Sequence, residues 1–346
     1  MVIIHIMRFN FGISLRGKAL TANAAIVMIS IAGSDFGISG GRRTEMDIKA
    51  LRYFLAVARE ENMTRAAEQI HVSQPTLSKQ LKALEDELGK QLFIRRAFSI
   101  ELTDEGQLLR KRAEDLVAMA DKIVDEFSTM DDVTGGDLYF GLAESYQIRL
   151  LAREIRAFRT RYPNLRYHIT SGGTEQVLER LDKGILDFAV LVETPDLKKY
   201  NVLEFPESDQ WVAVMHREQP LAKKPFITVD DLIGIPLFCS EQSWNADIPR
   251  WAGDRMQDLQ LEGSFQLSFN GAMFASEQLG VLLAFDRLVN TGPDSDLVAR
   301  PLAPALENRM YLAWKKYQIF SPIAEKFREE ISRSFLRSEE EQTGSH

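Results

Sequence analysis

Apolar residues between positions 46 and 89 recur at helical spacing and predict three helices. The first carries the stripe of Leu51, Phe54 and Leu55, and the second is the short segment TRAAEQI. The third covers TLSKQLKALEDELG, with Ser73 as a favourable N-cap and Gly89 as its end. The second and third helices, joined by a turn of a few residues, form a helix-turn-helix pattern, whose second helix presents its N-terminal residues to base edges in DNA.

The start of the third helix carries a set of polar side chains that suit DNA. These are Gln74, Thr76, Ser78, Lys79 and Lys82. Glutamine can bind adenine through two hydrogen bonds, Ser and Thr reach either base type, and lysine suits phosphate or guanine. For any one of them the alternative is a solvated helix face, but together they predict contact with bases or backbone.

A β-prone segment follows this helix and predicts a two-stranded wing. Arg95 and Arg96 come just before FSIELT, near the tip of the predicted hairpin. Arginine in such a place enters the minor groove or holds phosphates. A surface pair with no DNA contact is the alternative.

A heptad pattern then predicts a long helix over residues 105–130, capped by Thr103. Its apolar positions are Leu109, Ala113, Leu116, Ala120, Ile123 and Phe127. An isolated helix cannot bury such a stripe, so we expect it to pair with a second copy of the chain. Packing against the C-terminal part of its own chain is the alternative. The run STMDDVTGG that follows predicts the end of this helix and a hinge.

The remaining residues alternate between strand and helix patterns and predict an α/β domain. The order β-α-β-α-β over residues 137–192 favours a parallel sheet, and a second half follows it. In such sheets ligands lie beyond the carboxyl ends of strands, at helix N-termini. Candidate residues in those loops are Ser145, Tyr146, Gly172, Gly173, Thr174, Ser240, Gln242 and Asn270. Donor-rich loops suit an anion, but Glu144 and Glu241 oppose one, so a cationic or neutral ligand stays open.

The net charge of −8 argues at first against a DNA-binding protein, but its distribution changes that picture. Residues 131–346 carry 24 basic and 33 acidic side chains, whereas residues 46–100 carry 9 and 7. The predicted DNA-binding part is therefore near neutral, and its affinity would depend on where the cations lie and on salt.

The first 45 residues have a basic start and a small, apolar run from Ala19 to Gly33, which is typical of a signal peptide. A disordered extension, or translation from a start upstream of Met46, are the alternatives. If the start is an export signal, the chain would be a two-lobed solute-binding protein, but residues 46–127 have no place in one.

The sequence offers little for catalysis or for a metal. Cys239 is the single cysteine and lies in an apolar stretch, where we expect a core residue. The five histidines are scattered, and neither a nucleophile elbow nor a P-loop is present. We therefore expect no enzyme activity, no metal and no cofactor.

The stretch AAEQIHVSQPTLSKQLKALEDELGKQLFIRR, closed by LTDEG, resembles the DNA-binding domain of LysR-type transcriptional regulators. The resemblance covers residues 46–336, more weakly in the C-terminal part. It implies DNA contacts at Arg52, Thr64, Gln74, Pro75, Thr76, Ser78, Lys79, Arg95 and Arg96. The position of Lys79 is often arginine in the family, and lysine is a poorer two-bond reader of guanine.

The resemblance also implies the organisation of the chain and its partners. The expected parts are a winged helix-turn-helix (46–104), a dimerising linker helix (105–130) and a two-lobed effector domain like that of periplasmic binding proteins (131–336). The extension (1–45) is not part of the family pattern, and the polar composition of residues 337–346 predicts a disordered tail. Lobe I is expected at about 137–192 and 297–336, and lobe II at about 193–296. Expected partners are promoter DNA, an unidentified small-molecule effector between the lobes, a homodimer or homotetramer, and RNA polymerase if the protein activates. The implied location is the cytoplasm, with no membrane.

Overall fold

A computed structural model describes residues 46–96, 99–130, 132, 134–192 and 196–343. The predicted extension over residues 1–45 lies outside these residues. A signal peptide, a disordered extension and translation from an upstream start therefore remain predictions for it. The predicted fold class is confirmed: a winged helix-turn-helix leads through a long helix into a two-lobed α/β domain.

The N-terminal domain is built on three helices. They are α1 (Ile48–Glu60), α2 (Met63–Gln69) and α3 (Gln74–Leu88). The hydroxyl of Ser73 accepts the N–H of Thr76 at the start of α3, and Gly89 ends that helix in the left-handed region with φ 65°. Both cap predictions are confirmed. The apolar stripes of the three helices pack into one small core.

Two short strands and a long helix complete this domain. They are β1 (Phe93–Arg95), β2 (Ile100–Leu102) and α4 (Asp104–Thr129). The two strands pair antiparallel and form the predicted wing. The carboxylate of Glu85 in α3 accepts the N–H groups of Leu92 and Phe93, at 2.8 and 3.3 Å, and so fixes the wing to that helix. The hydroxyl of Thr103 caps α4 by accepting the N–H of Gly106.

The elements that follow build two lobes. In chain order they are β3 (Gly135–Leu142), α5 (Ile148–Arg159), β4 (Asn164–Ser171), α6 (Thr174–Asp182), β5 (Phe188–Leu191), β6 (Tyr200–Glu204), β7 (Asp209–His216), β8 (Pro236–Ser240), α7 (Glu241–Ala252), β9 (Gln260–Phe265), α8 (Ser268–Ser276), β10 (Val281–Phe285), β11 (Leu297–Pro301), β12 (Glu307–Asn308), β13 (Tyr311–Lys315) and α9 (Pro322–Thr343). Short 3-10 helices cover Pro220–Lys223, Val229–Leu232 and Gly253–Asp258.

Each lobe has its own sheet. In lobe I the strand order is β4-β3-β5-β13-β6, with β3 parallel to both β4 and β5. In lobe II the order is β11-β7-β10-β8-β9, with β12 added to β7. In both sheets the parallel strands meet helices at their carboxyl ends, which brings α6, α7 and α8 to the space between the lobes.

The predicted lobe boundaries were wrong in two places. The strand Tyr200–Glu204 pairs with β13 in lobe I, and Leu297–Pro301 pairs with β7 in lobe II. The chain therefore crosses between the lobes near residues 205–208 and 309–310 rather than at 193 and 297. In each case the strand pairs antiparallel with a strand that is distant in the sequence and belongs to the other lobe than the one predicted.

One further prediction is corrected. The last helix runs to Thr343, so residues 337–343 continue it instead of forming a disordered tail.

Candidate functional site

The start of α3 presents its predicted residues on a firmly held helix. Gln74, Pro75, Thr76, Lys79 and Lys82 are exposed, and Ser78 is half-buried. On the opposite side of the helix Leu77, Leu81 and Leu84 are fully buried. The hydroxyl of Thr76 lies 2.7 Å from that of Ser73, so Thr76 also helps to cap the helix. The buried leucines therefore fix the helix in the domain, and its polar side chains face outward.

Other predicted DNA contacts flank this helix. Thr64 is exposed in the first turn of α2, and its N–H is held by the side chain of Asn62. The guanidinium of Arg96 forms an ion pair with the carboxylate of Glu101 across the wing, through a hydrogen bond of 2.9 Å and a second contact of 2.8 Å. The backbone of Arg95 ends β1, and its side chain lies outside the described part.

Arg52 is tied to the linker helix. Its guanidinium pairs with the carboxylate of Asp121 through two contacts, one of 3.2 Å. This pair raises the pKa of Arg52. If Arg52 contacts DNA, the same guanidinium has to bind both the DNA and Asp121.

The predicted seam of α4 divides into two parts. Ala113 is 0% exposed and Leu109 is partly buried, and both pack in the core of the N-terminal domain of the same chain. Their assignment to dimerisation is therefore corrected: the first two turns of the pattern serve the DNA-binding domain itself. Further along, Leu116, Ile123 and Phe127 are 42, 47 and 70% exposed, and Ala120 is half-buried.

A second face of α4 docks on lobe I of the same chain. Lys122 is buried, and its ammonium lies 2.7 Å from the carboxylate of buried Asp187 and 3.1 Å from the carbonyl of Gly184. Burial raises the pKa of Asp187, and the ammonium of Lys122 opposes that shift. The hydroxyl of Tyr139 also donates to Asp125 of the helix, at 2.9 Å. The linker helix thus has both an exposed apolar seam and a polar face bound to its own chain.

A cleft of about 880 Å³ lies between the two lobes. Five predicted effector residues line it: Gly172, Gly173, Thr174, Ser240 and Gln242. They come from the first residues of α6 and α7 and from the residues just before these helices, one helix on each lobe. The predicted loops therefore meet across the cleft, as strand ends facing each other should.

Hydrogen bonds cross the cleft at two points. The amide of Gln242 accepts the N–H of Thr174 at 3.2 Å and donates to its hydroxyl at 3.0 Å. The carboxylate of Glu144 in lobe I accepts the N–H of Ser268, at the start of α8 in lobe II, at 2.7 Å. These bonds hold the two lobes against each other.

Three predicted effector residues do not line the cleft. Ser145 is buried at the junction of the lobes, where its hydroxyl donates to Asp209 and accepts the N–H of Gln147 at 2.8 Å. Burial raises the pKa of Asp209 to about 6, and the hydrogen bond from Ser145 opposes the shift. Ser145 therefore joins the lobes rather than reaching a ligand.

Tyr146 and Asn270 have other places. The ring of Tyr146 lies between the guanidiniums of Arg149 and Arg287, 5.1 and 4.9 Å from its centre. Asn270 is exposed in the first turn of α8.

Sequence reasoning missed the apolar wall of the cleft. Trp211, Phe265 and Phe285 line it, with Leu283 and Leu288. All of these residues except Leu288 lie on strands whose patterns predict core. Only the presence of β7, β9 and β10 in one sheet shows that the ends of these strands open into the cleft.

Cys239 is fully buried, as expected for a core residue, and burial raises the pKa of its thiol. Among the described residues no helix is both long and apolar enough to cross a membrane.

Comparisons with known proteins bear on both regions. Residues 48–107 match the model of a bacterial regulatory helix-turn-helix protein of the lysR family, and residues 131–335 match the LysR substrate binding domain. The HTH-type transcriptional regulator BsdA of Bacillus subtilis (strain 168) is 35% identical over 171 residues, which are 49% of this chain and 58% of that relative. The Hca operon transcriptional activator HcaR of Escherichia coli (strain K12) is 29% identical over 291 residues, covering 78% of this chain and 92% of HcaR.

Solved structures share the fold. CbnR, a LysR family transcriptional regulator, superposes with a TM-score of 0.68 at 20% identity, over 84% of this chain and 99% of CbnR. Full-length CbnR complexed with its target DNA gives a TM-score of 0.66 at 21% identity. The first relatives are matched over 58 to 65% of their own length.

Proposed function

Because this chain belongs to the LysR family of bacterial transcriptional regulators, we propose that it binds a specific promoter sequence and that a small molecule in the interlobe cleft controls its activity. The observation that carries the proposal is the start of α3. There, exposed Gln74, Thr76 and Lys79 project from a helix anchored by buried leucines, beside a wing that ends in Arg95 and Arg96. A helix held in this way offers polar groups to the major groove without first having to be ordered.

The protein acts as a homodimer built on the second part of the α4 seam, or as a tetramer of such dimers. Leu116, Ile123 and Phe127 remain exposed at heptad spacing, and a second copy of the helix would cover them. A symmetric dimer reads a two-fold site with two half-sites. As a regulator it meets promoter DNA in the cytoplasm, contacts RNA polymerase if it activates, and carries out no chemical reaction.

The cleft serves as the effector site. Its volume of about 880 Å³ suits a small metabolite, and the bonds Thr174–Gln242 and Glu144–Ser268 cross it. A ligand that changed these bonds would change the angle between the lobes. Since α4 is bound to lobe I through Lys122 and Asp187, such a change would reach the linker helix and the paired DNA-binding domains.

The two lobes would also fit the alternative of an exported solute-binding protein. That alternative does not explain the helix-turn-helix match over residues 48–107.

The proposal is tested by an electrophoretic mobility shift with double-stranded DNA from upstream of the chain's own coding region. We expect a specific complex that resists competitor DNA and weakens steeply as salt rises, because bound lysines and arginines release counterions from phosphates. Binding that competitor DNA of unrelated sequence removes equally well would contradict the proposal.

A further inference from the structure

At the start of each helix around the cleft, one N–H group is already bonded within the protein. The N–H of Ser268 in α8 is held by Glu144, and that of Thr174 in α6 by Gln242. The N–H of Ser243 in α7 is held by the hydroxyl of Ser240, at 3.2 Å. Helix N-termini are good anion sites only while such donors are available. Here an anionic ligand that used any of these three N–H groups would first have to break a bond that the protein makes with itself.

The charged side chains of the cleft have one sign. Glu144, Glu175 and Glu241 line it, and Glu175 and Glu241 are exposed in the first turns of α6 and α7. The described lining residues include no lysine, arginine or histidine. Each helix N-terminus that faces the cleft thus has a carboxylate of the protein beside it. This carboxylate offsets the partial positive charge of the helix N-terminus and so weakens its attraction for an anionic ligand.

The rest of the wall is apolar and sized for a ring or a short chain. Trp211 and Phe285 are buried where β7 and β10 reach the cleft, and Phe265 and Leu288 lie beside them. A ligand that covers this wall gains from apolar burial, while its polar end lies among the glutamates.

From these observations we propose that the effector of this protein is an organic cation, an amine or guanidinium on an apolar or aromatic body, and not a carboxylate. The inference rests on the proposed function, because it specifies the ligand of the same cleft. A carboxylate would meet three like charges with no cationic partner among the described lining residues, and it would have to displace Gln242 or Glu144 to reach the N–H of Thr174 or of Ser268. An ammonium meets opposite charges and needs no such displacement.

Isothermal titration calorimetry on the full chain tests this with matched pairs that share one apolar body. The pairs are benzylamine and phenylacetate, 2-phenylethylamine and 3-phenylpropanoate, and tryptamine and indole-3-propanoate. We expect each amine to bind about tenfold or more tightly than its carboxylate partner, and the preference to shrink at high salt. In the double variant Glu175→Gln/Glu241→Gln, amine affinity should fall about fivefold for each carboxylate lost.

The double variant Glu218→Gln/Glu262→Gln is the control, because it removes the same charge from exposed positions outside the cleft lining. Its amine affinity should equal that of the unchanged protein. Carboxylates that bind as tightly as the amines, amine affinities that fall equally in both double variants, or an absence of amine binding at millimolar concentration would each overturn the inference. A mobility shift on the same protein separates the failure of this inference from the failure of the proposed function. If the protein bound specific DNA but preferred carboxylates, the inference would be wrong and the proposed function would still hold.

Discussion

Gln74 carries the most specific expectation at the scale of single residues. It is exposed at the first position of α3, where its amide can reach a base edge. Gln74→Ala should weaken binding to the specific site by on the order of 1–3 kcal/mol, the usual discrimination of a two-bond base contact, with little effect on non-specific binding. Mobility shifts with specific and scrambled DNA measure both. Gln107→Ala, an exposed glutamine in α4, is the control. Equal affinities for Gln74→Ala and the unchanged protein would remove Gln74 from the reading surface.

Asp209 gives a prediction for pH. Burial raises its pKa to about 6, above its ordinary 3.8, so the folded protein binds this proton more tightly than the unfolded chain. The stabilisation from Asp209 is therefore complete below about pH 4 and is lost as the pH rises through about 6. Relative to Asp209→Asn, the unchanged protein should lose on the order of 2–3 kcal/mol of unfolding free energy between about pH 4 and pH 7.

Urea unfolding of both proteins across that range measures the difference. Asp231→Asn is the control of opposite sign, because Lys224 holds the pKa of Asp231 below its usual range and its stabilisation is lost as the pH falls. A difference between the unchanged protein and Asp209→Asn that does not vary with pH would show that Asp209 is not the group responsible.

How far single residues could be predicted depended on their surroundings. Thr174 and Gln242 were placed at the cleft because strand ends and helix starts are visible in the pattern. Ser145 lies one residue beyond Glu144, which does line the cleft, yet its hydroxyl turns toward Asp209. Loop patterns locate a segment, but the direction of each side chain depends on residues distant in sequence.

At the scale of elements, the linker helix has two faces with different roles. Ile123→Asp would place a charge in the exposed half of the seam, at a position 47% exposed in the single chain. We expect it to shift the protein from dimer toward monomer, since a paired seam would bury that charge without a partner. Sedimentation velocity measures the change. Ser128→Asp adds the same charge at an exposed position of the same helix outside the seam and should leave the dimer intact. An unaltered oligomer for Ile123→Asp would place the dimer contact elsewhere.

The opposite face holds the helix to lobe I through a buried ion pair. Lys122→Met would leave the carboxylate of Asp187 buried without its ammonium, which should cost about 3–5 kcal/mol of unfolding free energy. Lys111→Met is the matched control, because Lys111 is exposed and pairs with Glu179 at 3.6 Å. Its loss should stay below about 1 kcal/mol. Chemical denaturation of both variants measures the two losses, and similar losses would show that the buried pair does not hold the helix.

The heptad pattern predicted the helix but not all of its partners. Ala113 and Ile123 follow the same spacing, yet Ala113 packs in the core of its own domain and Ile123 stays exposed. Spacing shows that a stripe must be covered, whereas the covering surface depends on where the helix passes through the fold.

At the scale of the whole molecule, the class of fold was predictable and the division between lobes was not. Family, α/β class and winged helix-turn-helix were all confirmed, because strong local patterns encode them. The strands Tyr200–Glu204 and Leu297–Pro301 were assigned to the wrong lobes, since each pairs with a strand about a hundred residues away in the chain, Tyr311–Lys315 and Asp209–His216. Long-range pairing of this kind leaves little trace in the pattern of a single strand.

The most direct test of the central claim is a binding selection with the purified full chain and a library of random double-stranded DNA, followed by sequencing of the bound fraction. A dimer that reads DNA through α3 should enrich one sequence with two inverted half-sites about one helical turn apart. In the same selection Gln74→Ala should lose preference at symmetric positions of both half-sites. A bound fraction with no enriched sequence, or with one that Gln74→Ala enriches equally, would contradict the claim that this chain is a sequence-specific regulator.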